Sequence, residues 1–265
     1  MLAHRRRVSR FIFLEGVAAM KQTSHLFISI NGAVLGNAAA PDYEREVDGV
    51  LGTVGSNRVG AALLQTIKTA LVIVPHTGSA RNAYASGDHS DRAGNTGHRR
   101  YSCANATPLT NASGSPKRYT AGGGTSSTIK FTPSQWMTSG MAEHQHKSIG
   151  AGARRDEILF HEMAHSIRQM AGVMNCSDAP AGFDTKDEYW SVLTSNIYAA
   201  SGNRPLRKNH HGFTQISLAD ATAYFAKYAV MTGWMCREMP VFTRAVSDIA
   251  WIAFNPFRDY YVAHP

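Results

Sequence analysis

Short apolar runs and helical periodicities divide the chain into elements. Leu26, Phe27, Ile28 and Ile30 run into the turn dipeptide Asn31-Gly32, which predicts a strand near residues 25 to 30 with Ala33 to Leu35 returning as a hairpin. From residue 42, Tyr43, Val47, Val50 and Leu51 recur at helical spacing, with Asp42 after Pro41 placed to cap. Glycines at 52 and 55 are expected to break that helix, a second should span residues 58 to 69, and Leu71-Val72-Ile73-Val74 reads as a buried strand stopped by Pro75.

Residues 77 to 127 are rich in Gly, Ser, Asn and Thr and predict a long loop. Residues 127 to 132 alternate and are β-branched, and Pro133 after them suits a sheet edge, where an extended peptide can add as a further strand. The strongest helix covers residues 154 to 172, with an apolar stripe of Ile158, Leu159, Met163, Ile167 and Met170 and a stop at Gly172. Further helices are expected over 186 to 200, 217 to 236 (with Ser217 and Asp220 as a weakened capping box) and 240 to 253. The fold class is α+β: a small sheet with its edge strand on the central helix, plus a mostly helical C-terminal lobe. Residues 1 to 40 read as an extension and 41 to 265 as one domain.

The central helix carries His161-Glu162-Met163-Ala164-His165. Residues four apart share a helix face, so two imidazoles can point at one ion with Glu162 beside its open position. A chain of this composition, with 12 histidines in 265 residues, would contain such a pattern by chance about 0.016 times. The chemistry that fits is a single Zn²⁺ with three protein ligands and a water, and Glu162 as the general base that takes the proton of that water. Arg168 and Ala171 stand where a longer three-histidine motif needs glycine and histidine, so the third ligand lies elsewhere. Glu188, at the start of the next helix, is the best placed, with Asp184 and Asp187 as rivals. An oxyanion donor is also required. Tyr198, His210 and His211 are candidates, with Tyr198 and His211 preferred, and Arg207 is suited to orienting a carboxylate.

Charge and cysteine usage narrow the setting. The net charge of +8 resides in two stretches: Arg5, Arg6, Arg7 and Arg10, and the segment 81 to 120 with Arg81, Arg92, Arg99, Arg100, Lys117 and Arg118 against Asp88 and Asp91. The half bearing the motif is balanced, and no specific nucleic-acid partner is expected. Cys103, Cys176 and Cys236 are widely spaced and odd in number, which argues for a reducing compartment. Glu15 interrupts the apolar run after the N-terminal arginines, against a Sec signal, and no run of about 18 apolar residues predicts a membrane span.

Beyond the short motif, Ile158-Leu159-Phe160-His161-Glu162-Met163-Ala164-His165, Asp187-Glu188-Tyr189, Thr194-Ser195-Asn196-Ile197-Tyr198, Arg204-Pro205-Leu206-Arg207 and His210-His211-Gly212-Phe213 resemble the effector metallopeptidases related to the type III effector NleD. The resemblance is weak over residues 43 to 75, firmer over 124 to 213, and absent from the first 40 residues and after 217. It implies a zincin fold and a zinc endopeptidase that a bacterium delivers into another cell, with a protein of that cell as substrate and a secretion chaperone or delivery machine as partner. By the same resemblance His161 and His165 are zinc ligands, Glu162 the catalytic glutamate and Glu188 the third ligand. The competing expectation is an inactive binding module that holds an acidic partner with the basic segment 81 to 118.

Overall fold

The computed structural model describes residues 20–78, 82–87, 124–136, 150–175, 177–210 and 213–265. The protein is α+β. Five strands form one mixed sheet in the order β1-β2-β3-β5-β4. β2 (Ile28–Ile30), β3 (Leu71–Val74) and β5 (Ser127–Lys130) run parallel, while β1 (Lys21–Gln22) and β4 (Tyr84–Gly87) close the two edges antiparallel. Alternate side chains point into the core: Ile28, Ile30, Leu71, Ile73 and Ile129 are fully buried, and the residues between them are half-buried.

Parallel neighbours need a crossover, which α1 (Ala40–Ser56) and α2 (Arg58–Thr66) supply between β2 and β3. α1 runs straight through Gly52 and Gly55. Burial of Val47, Val50, Leu51 and Val54 on one face offsets a glycine cost of about 1 kcal/mol each. The break falls at Asn57, whose extended backbone ends α1 and whose side chain accepts from the N–H groups of Val59 and Gly60 to start α2. No hairpin follows Asn31-Gly32; residues Ala33–Leu35 make a 3-10 turn instead. The first two strands also draw residues 21 to 30 into the sheet, ahead of the domain start expected at 41.

The predicted edge moves. β5 lies inside the sheet, between β3 and β4, because Pro133 comes after the ladder, in a 3-10 turn (Pro133–Gln135), where its missing N–H disrupts no pairing. The true edge on this side is β4, which lies within the stretch read as loop.

Against β4 and β5 packs α3 (Arg155–Met170), the helix with the histidine motif. Its apolar stripe predicted one buried face, yet every residue from Asp156 to Gln169 is buried. A helix enclosed all round must pair its polar side chains internally, and it does. Ser127 Oγ donates to Gln169 Oε1 at 2.6 Å and meets Ser166 Oγ at 2.9 Å. The helix stops as expected at Gly172, whose φ is +68°, with the Val173 N–H on the Arg168 carbonyl. Its last turn touches the chain entering β5 so closely that a Cβ on Gly124 would lie 1.6 Å from the Met170 oxygen.

α4 (Lys186–Ser201) packs along α3 and is capped by Thr185, whose hydroxyl accepts from the Glu188 N–H. A two-stranded ribbon, β6 (Leu206–Arg207) with β7 (Gln215–Ile216), leads to the C-terminal helices. Ser217 caps α5 (Leu218–Ala226) as expected, but the helix ends there and restarts as α6 (Ala229–Glu238). α7 (Pro240–Ser247) is shorter than predicted, and α8 (Pro256–Ala263), capped by Asn255, was not foreseen. Among the described residues no helix is long and apolar enough to cross a membrane. Residues 1–19, most of the basic segment 81 to 118, Cys103, Cys176 and His211 lie outside the described residues; Cys236 is a buried free thiol.

Candidate metal centre

Two turns of helix set the site. His161 and His165, one turn apart on α3, direct their Nε2 atoms towards the first turn of α4, where Glu188 meets them. The three donor atoms form a nearly equilateral triangle: His161 Nε2 to His165 Nε2, His161 Nε2 to Glu188 Oε2 and His165 Nε2 to Glu188 Oε2 are each 3.2 Å. Both histidines are buried and Glu188 is nearly so. Two imidazole nitrogens and a carboxylate oxygen that converge in a buried space repel one another unless a cation or proton joins them. Together, His161, His165 and Glu188 can hold a metal ion.

The surroundings favour this donor state. Asp187 Oδ2 is 2.6 Å from His165 Nδ1, and Ser191 Oγ is 3.1 Å from the same nitrogen. A carboxylate there keeps the proton on Nδ1, so that Nε2 is the nitrogen left to meet an ion. Asp187 is in turn fixed by Arg168, whose Nε donates to Oδ1 at 2.6 Å. In the metal-free protein burial draws the His161 imidazole down to about 3, so it stays neutral, whereas Glu188 and Asp187 outweigh burial and hold His165 well above the usual range. Paired with the two histidines, Glu188 sits well below the ordinary carboxylate range.

Glu162 follows His161 on the same helix, 7% exposed. Burial, reinforced by Glu188, pushes its carboxyl up to about 7, against His165, the Ala85 backbone hydrogen bond and Arg207, which pull it down. Ala85 belongs to the edge strand, and its carbonyl accepts from Gln169 Nε2 at 3.3 Å. Both polar groups of Ala85 thus turn away from β5 and towards α3.

Comparison of the chain with protein-family models, with curated proteins and with solved structures finds no match. Its site is therefore described by its own geometry.

Of the rivals for third ligand, Asp187 supports His165 from behind and Asp184 pairs with His210 at 2.6 Å. Tyr198 is not brought to the site. It lies on α4 ten residues beyond Glu188, its ring stacked on Phe160 and its hydroxyl donating to Asp156 at 2.9 Å beside Arg204. Helical rise separates the two, because ten residues carry a side chain roughly 15 Å along the axis. Arg207 is placed as expected near acidic groups: it is buried, and burial pulls its guanidinium down to about 10 while Glu188, Glu162 and Glu157 oppose the shift.

His210 does reach the cluster, its Nε2 3.2 Å from Glu188 Oε2 and its ring parallel to that of His161 at 5.8 Å. The support for His165 from Asp187, Ser191 and Arg168 was not predicted. Its one signal in the sequence is the pair of consecutive acids Asp187-Glu188 at a helix start, one of which turns to the Nε2 atoms of the two histidines and the other to Nδ1 of His165.

Proposed function

We propose that the protein is a zinc endopeptidase with a zincin-like arrangement, in which Glu162 is the general base. The 3.2 Å donor triangle carries this reading. Tetrahedral zinc with bonds of about 2.0–2.1 Å has ligand-to-ligand edges of roughly 3.3 Å, and two imidazoles with one carboxylate are a donor set that leaves one position open. When bound, the ion polarises a carbonyl and acidifies its water.

The protein's own groups do the rest. His161, His165 and Glu188 hold the ion, and Asp187 sets the His165 tautomer. Glu162 takes a proton from the water as its oxygen attacks the carbonyl carbon. The same proton then passes to the amide nitrogen as the C–N bond breaks, which leaves a carboxylic acid and an amine; transfer of the second proton of the water from the acid to the amine gives the carboxylate and the ammonium. An extended substrate segment passes beside β4, the edge strand whose Ala85 N–H holds Glu162. The likeness to NleD-related effectors supports delivery by a bacterium and a protein of the recipient cell as substrate.

Two measurements test this. The purified wild-type chain should contain about one zinc per molecule by elemental analysis. On expression in a host cell it should generate new protein N-termini that Glu162→Gln, with its zinc retained, does not. A wild-type chain without stoichiometric zinc, or equal cleavage by the variant, overturns the reading.

A further inference from the structure

We infer that the C-terminal lobe carries a binding site for an aliphatic carboxylate, whose chain lies between α5, α6 and α8 and whose head group meets Arg237 and Tyr260. The site shares no residue with the candidate metal centre and does not depend on the chain being a peptidase.

The three helices leave a cavity of about 510 Å³ between them. That volume is typical of preformed small-molecule sites, and so is the lining, which is mostly apolar with a few polar groups. Phe225 of α5 and Phe254, just before α8, form the floor; both are buried and their rings lie 5.5 Å apart. At the mouth Ala226, Ala229 and Val230 are exposed, Val230 to 68%. An alkyl chain laid across this mouth onto the aromatic floor removes apolar surface of both partners from water.

The walls are fixed. Trp190 Nε1 donates to the Met231 carbonyl at 2.9 Å and ties α6 to α4, and the Tyr261 hydroxyl donates to the Cys236 carbonyl at 3.2 Å and ties α8 to α6. Tyr260 reaches from α8 over Gly233 of α6, where a Cβ would come 2.8 Å from its ring. Walls held before a ligand arrives spare it the cost of ordering them.

The polar end selects the charge. Arg237 Nη1 donates to the Tyr260 hydroxyl at 3.2 Å, and among the described residues this guanidinium has no carboxylate partner. Because the hydroxyl accepts that bond, its own hydrogen is left to donate. Two adjacent donors, one of them charged, suit a carboxylate, which accepts from both. His264 stacks on the Tyr260 ring at 4.4 Å and steadies it. The acid on the lining, Asp259, faces Arg258 at 3.6 Å.

The test titrates the full chain with octanoate, decanoate and dodecanoate below their micellar concentrations, read by calorimetry. Binding should saturate at one ligand per chain, and from octanoate to decanoate each added methylene should tighten it about fourfold. Arg237→Gln should weaken decanoate about tenfold and leave decanol within about twofold. Ala229→Trp puts a ring into the mouth from an exposed position, and it should weaken both ligands at least roughly tenfold with the urea midpoint unchanged. Ala226→Trp replaces it if that midpoint falls. The site is overturned if decanoate shows no saturable binding, if Arg237→Gln or both tryptophan variants bind decanoate like wild type, or if decanol binds as tightly as decanoate. Association with phosphatidylglycerol vesicles without binding of monomeric decanoate also overturns it and marks a membrane-facing surface instead.

Discussion

Arg168 and Asp187 form an ion pair in which neither side chain is exposed, Nε lying 2.6 Å from Oδ1. The guanidinium also donates to the Val173 carbonyl at 2.7 Å, reaches Glu238 of α6 at 3.2 Å and rests 3.8 Å above the Trp190 ring. The pair therefore joins the end of α3, the start of α4 and the C-terminal lobe, and the second Asp187 oxygen meets His165 of the candidate metal centre. Removing one partner of such a pair strands the other. Arg168→Met should cost about 3–5 kcal/mol in urea unfolding of the metal-free protein. Asp187→Asn should lower zinc affinity about 10–100-fold in chelator competition. Unchanged zinc affinity in that variant would remove Asp187 from the metal centre.

Tyr198 provides the opposite case, a residue whose motif position suggests chemistry and whose contacts are structural. Its hydroxyl bonds the buried Asp156, which also takes Arg204 Nη1 at 2.6 Å. Tyr198→Phe should leave zinc affinity and cleavage at wild-type levels. The lost bond to a charged acceptor should cost about 1.5–3 kcal/mol in denaturant unfolding. A fall in kcat with stability unchanged would return Tyr198 to the catalytic groups.

Local physics made much of this site legible. The i, i+4 spacing of His161 and His165 fixes two donors on one helix face whatever surrounds it, and Glu188 at the next helix start was within reach once the two helices packed. What stayed hidden depends on distant chain. β4 is a run of Tyr, Ala, Ser and Gly with no strand signature of its own, and it is a strand only because β5 offers its edge. Arg168 and Gln169 lie off the apolar stripe of α3, and their burial depends on Asp187 and Ser127, which no local pattern announces. His210 and Asp184 are 26 residues apart and are joined by a loop contact with no periodicity to read.

The edge strand offers a substitution that separates binding from folding. At Ala85 the N–H and carbonyl both face α3 and not β5, so the strand pairing does not use them. Proline is tolerated where its missing N–H faces off the ladder. Ala85→Pro should therefore fold and keep zinc, with a stability loss of about 1–2 kcal/mol for the hydrogen bond and the imposed φ. It should nonetheless lose most cleavage, because Glu162 loses its backbone partner. Full activity in this variant would show that the Ala85 N–H does not position Glu162 for cleavage.

Glu162 should leave a signature in stability as well as in catalysis. Its carboxyl is pushed up to about 7 in the metal-free fold, chiefly by burial, above the 4.5 taken as its ordinary value. The folded state therefore holds this proton more tightly than the unfolded chain does, and stability falls as pH rises from about 4.5 to about 7. Above that the penalty is complete, at about 1.4 kcal/mol per unit, or about 3 kcal/mol. Glutamine has a similar shape and no charge to desolvate. Metal-free Glu162→Gln should therefore be more stable than wild type at pH 8, and the advantage should shrink towards zero near pH 4.5. The shift of Asp187 has the opposite sign: its carboxyl is lowered, so its contribution is full above its ordinary range and is lost in acid. Because that contribution is common to both proteins, it cancels in the difference. Urea unfolding of the two proteins in chelator across this range reads it directly. A difference that does not vary with pH would show that Glu162 carries no burial penalty.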